Sequence, residues 1–341
     1  MALQASGQIK YSEIIAEFGT PNSGGLGEYR ISENVGTLTN LPLDIGVPQG
    51  NSQIKFSDFY NKRLNQVVDL YSIGNGSSRQ NAKDRWNNGN VHIVGSTKTG
   101  KAQPPDTVED RVIINVNATI SSVKGTQTHC ALRTGNWDTN TTLEIEIGTS
   151  GKLYGSGGDG GSGGSANETA GTNGQTGSSA LGIQYPCTVN NLGVIQSGYG
   201  GGGGGGGNTR TTGGGKKSGA TTNGSSGGGG GGGAGLPAGA AGGVQTPLAV
   251  GGGSAGSAGQ AGSLSGQATG GGGGTEAGDG GNSSPVNNSA TKADNGTQPS
   301  GAAGGGTGGN NGYAIITNQG SAPSVTGNSA TGRIITSTNP T

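Results

Sequence analysis

Apolar residues follow a helical rhythm first, then a strand rhythm, and after residue 150 almost no rhythm at all. Ile14, Ile15 and Phe18 share one helical face, and Gly19 supplies a stop. This piece belongs to an internal repeat. Gln8-Ile9-Lys10-Tyr11-Ser12-Glu13-Ile14 aligns with Gln53-Ile54-Lys55-Phe56-Ser57-Asp58-Phe59. Each copy reads as a short extended segment, a serine N-cap and an acid in the first helical turn. The second copy continues through Tyr60 and Leu64 towards Val67-Val68. Between the copies, Leu38, Leu41, Leu43, Ile45 and Val47 are broken up by Pro42 and Pro48, which predicts an extended connection. So small a module has a thin core, so it either docks onto another protein or caps the following domain.

Residues 71–150 read as β. Val91-His92-Ile93-Val94 is a short strand, and Val112, Ile114, Val116, Ala118 and Ile120 alternate along one face. Leu143, Ile145 and Ile147 alternate with Glu144 and Glu146, which predicts a half-buried strand. Trp86 and Trp137 are expected to pack against such strands.

Composition then changes the picture. Of the 80 glycines, 16 fall in residues 1–150 and 64 in residues 151–341, including the blocks Gly200–Gly207, Gly227–Gly233 and Gly270–Gly274. Such a stretch cannot build an ordinary side-chain core. It is either a disordered tail or a solid held by backbone hydrogen bonds. Three features favour the second reading. The region lacks the high net charge of typical disorder, with 6 Lys/Arg and 5 Asp/Glu after residue 150. Gly253, Gly256, Gly259 and Gly262 fall three apart, the period of a polyproline-II-like helix. Finally, the apolar island Leu181–Ile195 and the closing β-like pieces Tyr313–Ile316 and Arg333–Ile335 interrupt and end it. The expected fold is therefore mainly β with little helix. It comprises an N-terminal module with the repeat (1–70), a β domain (71–150), a polyglycine-II bundle with projecting loops (151–312) and a closing β-like cap (313–341).

Charge and cysteine narrow the function. The formal net charge of +0 lacks the basic stripe of a nucleic-acid binder. Cys130 and Cys187 sit in unrelated contexts, and two reduced thiols are the preferred reading over a disulfide. The N-terminus carries no signal-peptide pattern, and no apolar run approaches membrane-spanning length, so synthesis in a cytoplasm is expected.

No candidate chemistry survives inspection. Gly95-Ser-Thr-Lys-Thr-Gly100-Lys101 nearly matches a P-loop, but Ala102 replaces the Mg²⁺-binding hydroxyl and Pro104-Pro105 forbids the helix that should follow. Gly213-Gly-Gly-Lys216-Lys217-Ser218 has no strand or helix around it. His92 and His129 are too few for a metal site, and a His129/Cys130 pair points to opposite faces of a strand. Glu144 and Glu146 share a face, but solvent exposure accounts for them. Neither an enzyme, a cofactor nor a metal is expected.

Leu143–Gly164, Ala180–Gly207 and Gly312-Tyr313-Ala314-Ile315 resemble glycine-rich bacteriophage tail-tip and tail-fibre proteins, in which a strand leads into a glycine run. Gly7–Gly19 and Ser52–Tyr60 are similar to N-terminal segments of phage virion proteins. The resemblance implies a host-recognition adhesin with packed polyglycine-II helices and variable tip loops that contact a bacterial outer-membrane protein or surface glycan. The Trp-rich attachment domain of T-even-type adhesins is missing, which favours docking to tail or baseplate proteins through residues 1–70. Ile9, Tyr11, Ile14, Phe18, Ile54, Phe56, Phe59 and Tyr60 are the expected attachment residues. Tyr185, Tyr199, Arg210, Lys216, Lys217 and Leu236 are the expected receptor anchors. The chain would then be a virion tail component, with a homotrimer among the assemblies left open. The alternative is a structural collar, baseplate or decoration protein without receptor contact.

Overall fold

The computed structural model describes residues 3–95, 111–164, 170–204, 208–212, 221–225, 230, 232–243 and 306–341. The chain is mainly β. The N-terminal module opens with helix α1 (Tyr11–Phe18). Its N-cap is Lys10 rather than the expected Ser12, because Glu13 reaches back to accept from the Lys10 N–H at 2.7 Å. The second copy repeats the device one for one: Asp58 accepts from the Lys55 N–H at 2.7 Å and starts a single 3₁₀ turn, Phe56–Phe59. In both copies the acid sets the helix start, and the serine falls inside the first turn. Phe18, Tyr29 and Phe59 meet edge to face at 5.6–5.8 Å, and with Ile9, Ile14, Leu43 and Leu64 they form the module's own core. The stretch expected to be a plain extended connection contains a hairpin, β1 (Ser32–Val35) and β2 (Leu38–Pro42).

From residue 65 the chain winds into a parallel β-solenoid in which each coil adds one strand to each of three sheets. The first coil is β3 (Asn65–Leu70), β4 (Ser77–Ser78) and β5 (Gln80–Asn81). Helix α2 (Ala82–Asn87) follows, a departure from the all-β reading of this region, started by the Asn81 side chain accepting from the Lys83 and Asp84 N–H groups. Strand β6 (Val91–Ile93) then closes the sheet edge, antiparallel to β3. The second coil is β7 (Arg111–Val116), β8 (Thr119–Ser121) and β9 (Cys130–Arg133). The third is β10 (Thr142–Ile147), β11 (Lys152–Tyr154) and β12 (Ser179–Ile183).

The fourth coil begins with β13 (Cys187–Asn191) and β14 (Val194–Gln196). It detours through an antiparallel hairpin, β15 (Asn208–Thr212) and β16 (Thr221–Ser225), and returns as β17 (Tyr313–Thr317). The fifth is β18 (Ser324–Gly327), a parallel bridge from Thr331 to Gln196, and β19 (Arg333–Ile335).

Parallel pairing stacks like on like. Val68, Ile114, Ile145, Val189 and Val325 lie in register on one sheet, Ile120, Leu153 and Ile195 on the second, and Leu132, Leu181, Ile315 and Ile334 on the third. All but the terminal Val325 and Ile334 are buried in one core. A buried aliphatic residue of this kind is worth roughly 2–5 kcal/mol over alanine. Trp86 and Trp137 cross edge to face at 6.0 Å over the same core, with the Lys83 ammonium 4.0 Å from the Trp86 ring. The outer face of β3 and β7 is dry as well, because the β1–β2 hairpin lays Val35 over Val67 and Ile113.

Candidate functional site at the end of the glycine segments

At one corner of the solenoid the second coil crosses from β8 to β9 in residues 122–129. The third coil crosses the same corner by way of residues 155–178, and the fourth by way of 197–312. Besides β15 and β16, the described parts of these excursions are three outgoing segments (155–164, 197–204, 236–243) and three returning ones (170–178, 230 with 232–235, 306–312). They bond to one another through every third residue. Gly198, Gly201 and Gly204 donate to the carbonyls of Ser178, Gln175 and Thr172, and Gly306, Gly309 and Gly312 donate to those of Gly204, Gly201 and Gly198, all at 2.7–2.9 Å. Gly157, Gly160 and Gly163 donate to Pro237, Ala240 and Gly243 at 2.9–3.0 Å.

The spacing explains the composition. A Cβ on Gly306, Gly309 or Gly312 would lie 1.9–2.0 Å from a carbonyl oxygen, so every third residue of that segment has to be glycine. Thr307 and Asn310, between them, face solvent. Segments 155–164 and 197–204 have neighbours on several sides and are glycine almost throughout. The second-coil loop supports the segments from below. Lys124 pairs with Asp159, the Gln127 amide donates to the Asn311 carbonyl, and Ser179 Oγ donates to the Gln127 carbonyl. Ser156 and Ser178 share a buried hydroxyl contact at 3.0 Å.

The segment ends away from the solenoid lie together. Thr172 bonds to Ser162, Gly204 to Thr172, Gly306 to Gly204 and Gly163 to Gly243. The chain leaves and re-enters this end between residues 164 and 170, 204 and 230, and 243 and 306. The β15–β16 backbone belongs to the second of these connections.

The expected receptor anchors are not brought together. Tyr185 sits on the solenoid between β12 and β13, its hydroxyl donating to the Asp138 and Thr141 carbonyls at 2.7 and 3.0 Å. Tyr199 is buried, 4% exposed, near the base of an outgoing segment. Leu236 occupies the turn at the solenoid end, its N–H donating to the Gly155 carbonyl. Arg210 lies on β15, while Lys216 and Lys217 fall outside the described residues, as do Gly253–Gly262 and the P-loop-like stretch past Gly95. Of the expected attachment residues, Ile9, Ile14, Phe18 and Phe59 are spent in the module's own core, with Ile54 and Tyr60 packed against it. Tyr11 and Phe56, equivalent positions of the repeat, touch edge to face at 6.4 Å, and Phe56 is 42% exposed.

The carboxylates read as solvent-exposed are instead half-buried and paired. Glu144 takes Arg111 in a two-pronged ion pair, and Glu146 accepts from the Asn190 amide at 2.7 Å. Burial pushes the Glu146 carboxyl above its usual range. Both thiols are free and are pushed up to about 12 by burial. Among the described residues there is no group of His, Cys, Asp and Glu that could hold a metal, and no helix long and apolar enough to cross a membrane.

The family model of the phage tail fibre adhesin Gp38 matches residues 85–340, which is 256 of the 341 residues. The chain belongs to this adhesin family. The match runs from α2 through the last coil and so takes in the corner, the glycine segments and their far end. Residues 1–84, with the repeat module and the first coil, lie outside it. No curated protein and no solved structure matches the chain.

Proposed function

We propose that this family member is a phage tail adhesin that recognises a host surface receptor through the connections at the far end of the glycine segments. The segments are polyglycine-II helices, and the solenoid is the platform from which they rise. The observation that carries this reading is the three-residue hydrogen-bond period, which runs the glycine segments from the solenoid corner to a common far end. The receptor is an outer-membrane protein or a surface glycan, bound by polar and backbone contacts. Arg210, Lys216 and Lys217 lie in the connection between 204 and 230 and remain receptor anchors in this reading. Tyr185, Tyr199 and Leu236 lie at the solenoid side and do not. Residues 1–70 attach the protein to the tail, with the exposed Phe56, backed by the half-buried Tyr11, as the contact.

The test is adsorption. Virions in which residues 208–225 are exchanged for those of a phage with another host should shift host range. Unchanged adsorption would instead support a structural component without receptor contact.

A further inference from the structure

A glycine segment offers N–H and C=O groups on all sides, so the outer faces of such a bundle are templates for further segments, as an unpaired strand edge is for further strands. The side chains embedded here fall at those faces. Asp159, the one charged residue in the described glycine segments, accepts from the Ala240 N–H at 2.6 Å through Oδ1, the oxygen that also takes Lys124. Asn173 Oδ1 accepts from the Thr307 N–H at 2.8 Å, and Thr172 Oγ1 from the Ser162 N–H at 2.7 Å. Ala240, Thr307, Asn173 and Thr172 are all exposed. Each bond puts a side-chain oxygen where the carbonyl of a further segment would sit. Each side chain also occupies space that such a segment would need.

We propose that Asp159, Asn173 and Thr172 close the outer faces of the glycine bundle against side-by-side association with the glycine segments of a second copy of this chain. The proposal rests on the polyglycine-II reading but not on receptor binding, and its readout involves no host. Lys124 holds the Asp159 carboxylate in place.

The test compares the full-length parent with D159A/N173A by sedimentation velocity and by hydrogen exchange across a hundredfold range of protein concentration. The variant is expected to sediment faster as concentration rises, while the parent does not. The amides of Ala240 and Thr307 are expected to exchange at least tenfold faster than the parent's in dilute variant, and to regain protection in concentrated variant. A general loosening would speed exchange at every concentration alike. A variant that sediments like the parent, or that associates without concentration-dependent protection at Ala240 and Thr307, overturns the proposal. D159N/N173D keeps both oxygen acceptors and is expected to behave as the parent, so its association would overturn the proposal even if D159A/N173A could not be obtained folded.

Discussion

Replacing Gly201 by alanine separates a backbone-bonded solid from a loose glycine coil. The new Cβ would lie 2.1 Å from the Asp159 carbonyl oxygen and 2.5 Å from its carbon, both main-chain atoms of a central segment. Clearing the oxygen to 3.0 Å requires a shift of at least 0.9 Å. The Gly158-to-Tyr199 and Gly161-to-Gly202 bonds between the same two segments are 2.8 Å long, and that shift carries them past hydrogen-bonding range. Losing two to four such bonds at about 1 kcal/mol each outweighs the gain of about 0.4–1 kcal/mol from a stiffer unfolded chain. The net local loss is about 1–3 kcal/mol, and more where a buried group is left unpaired. Gly243→Ala is the control. Its Cβ would meet only the Ser162 hydroxyl, at 4.0 Å, on an exposed residue, so it should be neutral or slightly stabilising. Native-state hydrogen exchange reads both. The amides of Gly158, Gly161 and Gly204 should exchange about 5- to 150-fold faster in Gly201→Ala and at the parental rate in Gly243→Ala. Equal exchange in the two variants would refute the close-packed geometry.

Burial raises the carboxyls of Asp44 and Glu146, so the folded state binds these protons more tightly than the unfolded chain does. Their contribution to stability is present at acid pH and is lost as pH rises from about 4 through the raised values. Asp44→Asn keeps an acceptor for the Arg63 N–H, so its urea midpoint should fall less between pH 4 and 7 than the parent's. A parallel fall would count against a buried charge at that position. The Cys130 thiol, buried and raised to about 12, should resist an aromatic disulfide reagent at pH 8 until urea unfolds the chain. Fast labelling of Cys130 in the native protein would contradict its burial.

Much of this was legible in the chain, and what was not has physical causes. The strands around Ile114 and Ile145 show in the sequence because alternation is a local signal. Their parallel stacking with Val189 and Val325 does not, because it pairs residues up to 136 positions apart. The repeat is visible in the sequence, but serine is the commoner N-cap, and here the acids Glu13 and Asp58 decide the helix starts instead. Tyr199 and Leu236, expected as receptor anchors, are large side chains among glycines. In the structure that is a reason for them to sit near the solenoid rather than at the exposed end. Asp159 is a lone charge in a glycine run, and its partner Lys124 lies in the loop below.

The solenoid and the bundle share one geometry, and this makes them separable. Ser121, Tyr154 and Gln196 lie in register where the three coils reach the corner, and Cys130, Ser179 and Tyr313 begin the strands beyond it. The gap that the second coil spans with residues 122–129 is therefore the gap that the third and fourth coils span with their long excursions. Replacing both 155–178 and 197–312 by copies of that eight-residue loop should leave the stacked core of Ile120, Leu153, Ile195, Leu132, Leu181 and Ile315 intact. The shortened protein should keep the far-ultraviolet β signal and cooperative melting of a solenoid, and virions carrying it should assemble but fail to adsorb. An insoluble product would mean that the bundle is needed to fold its own platform. Adsorption at the parental rate would take receptor binding away from the bundle altogether. If the expected result is obtained, loops at the far end are free to diverge, because each enters and leaves through backbone bonds that any sequence retaining every third glycine can make.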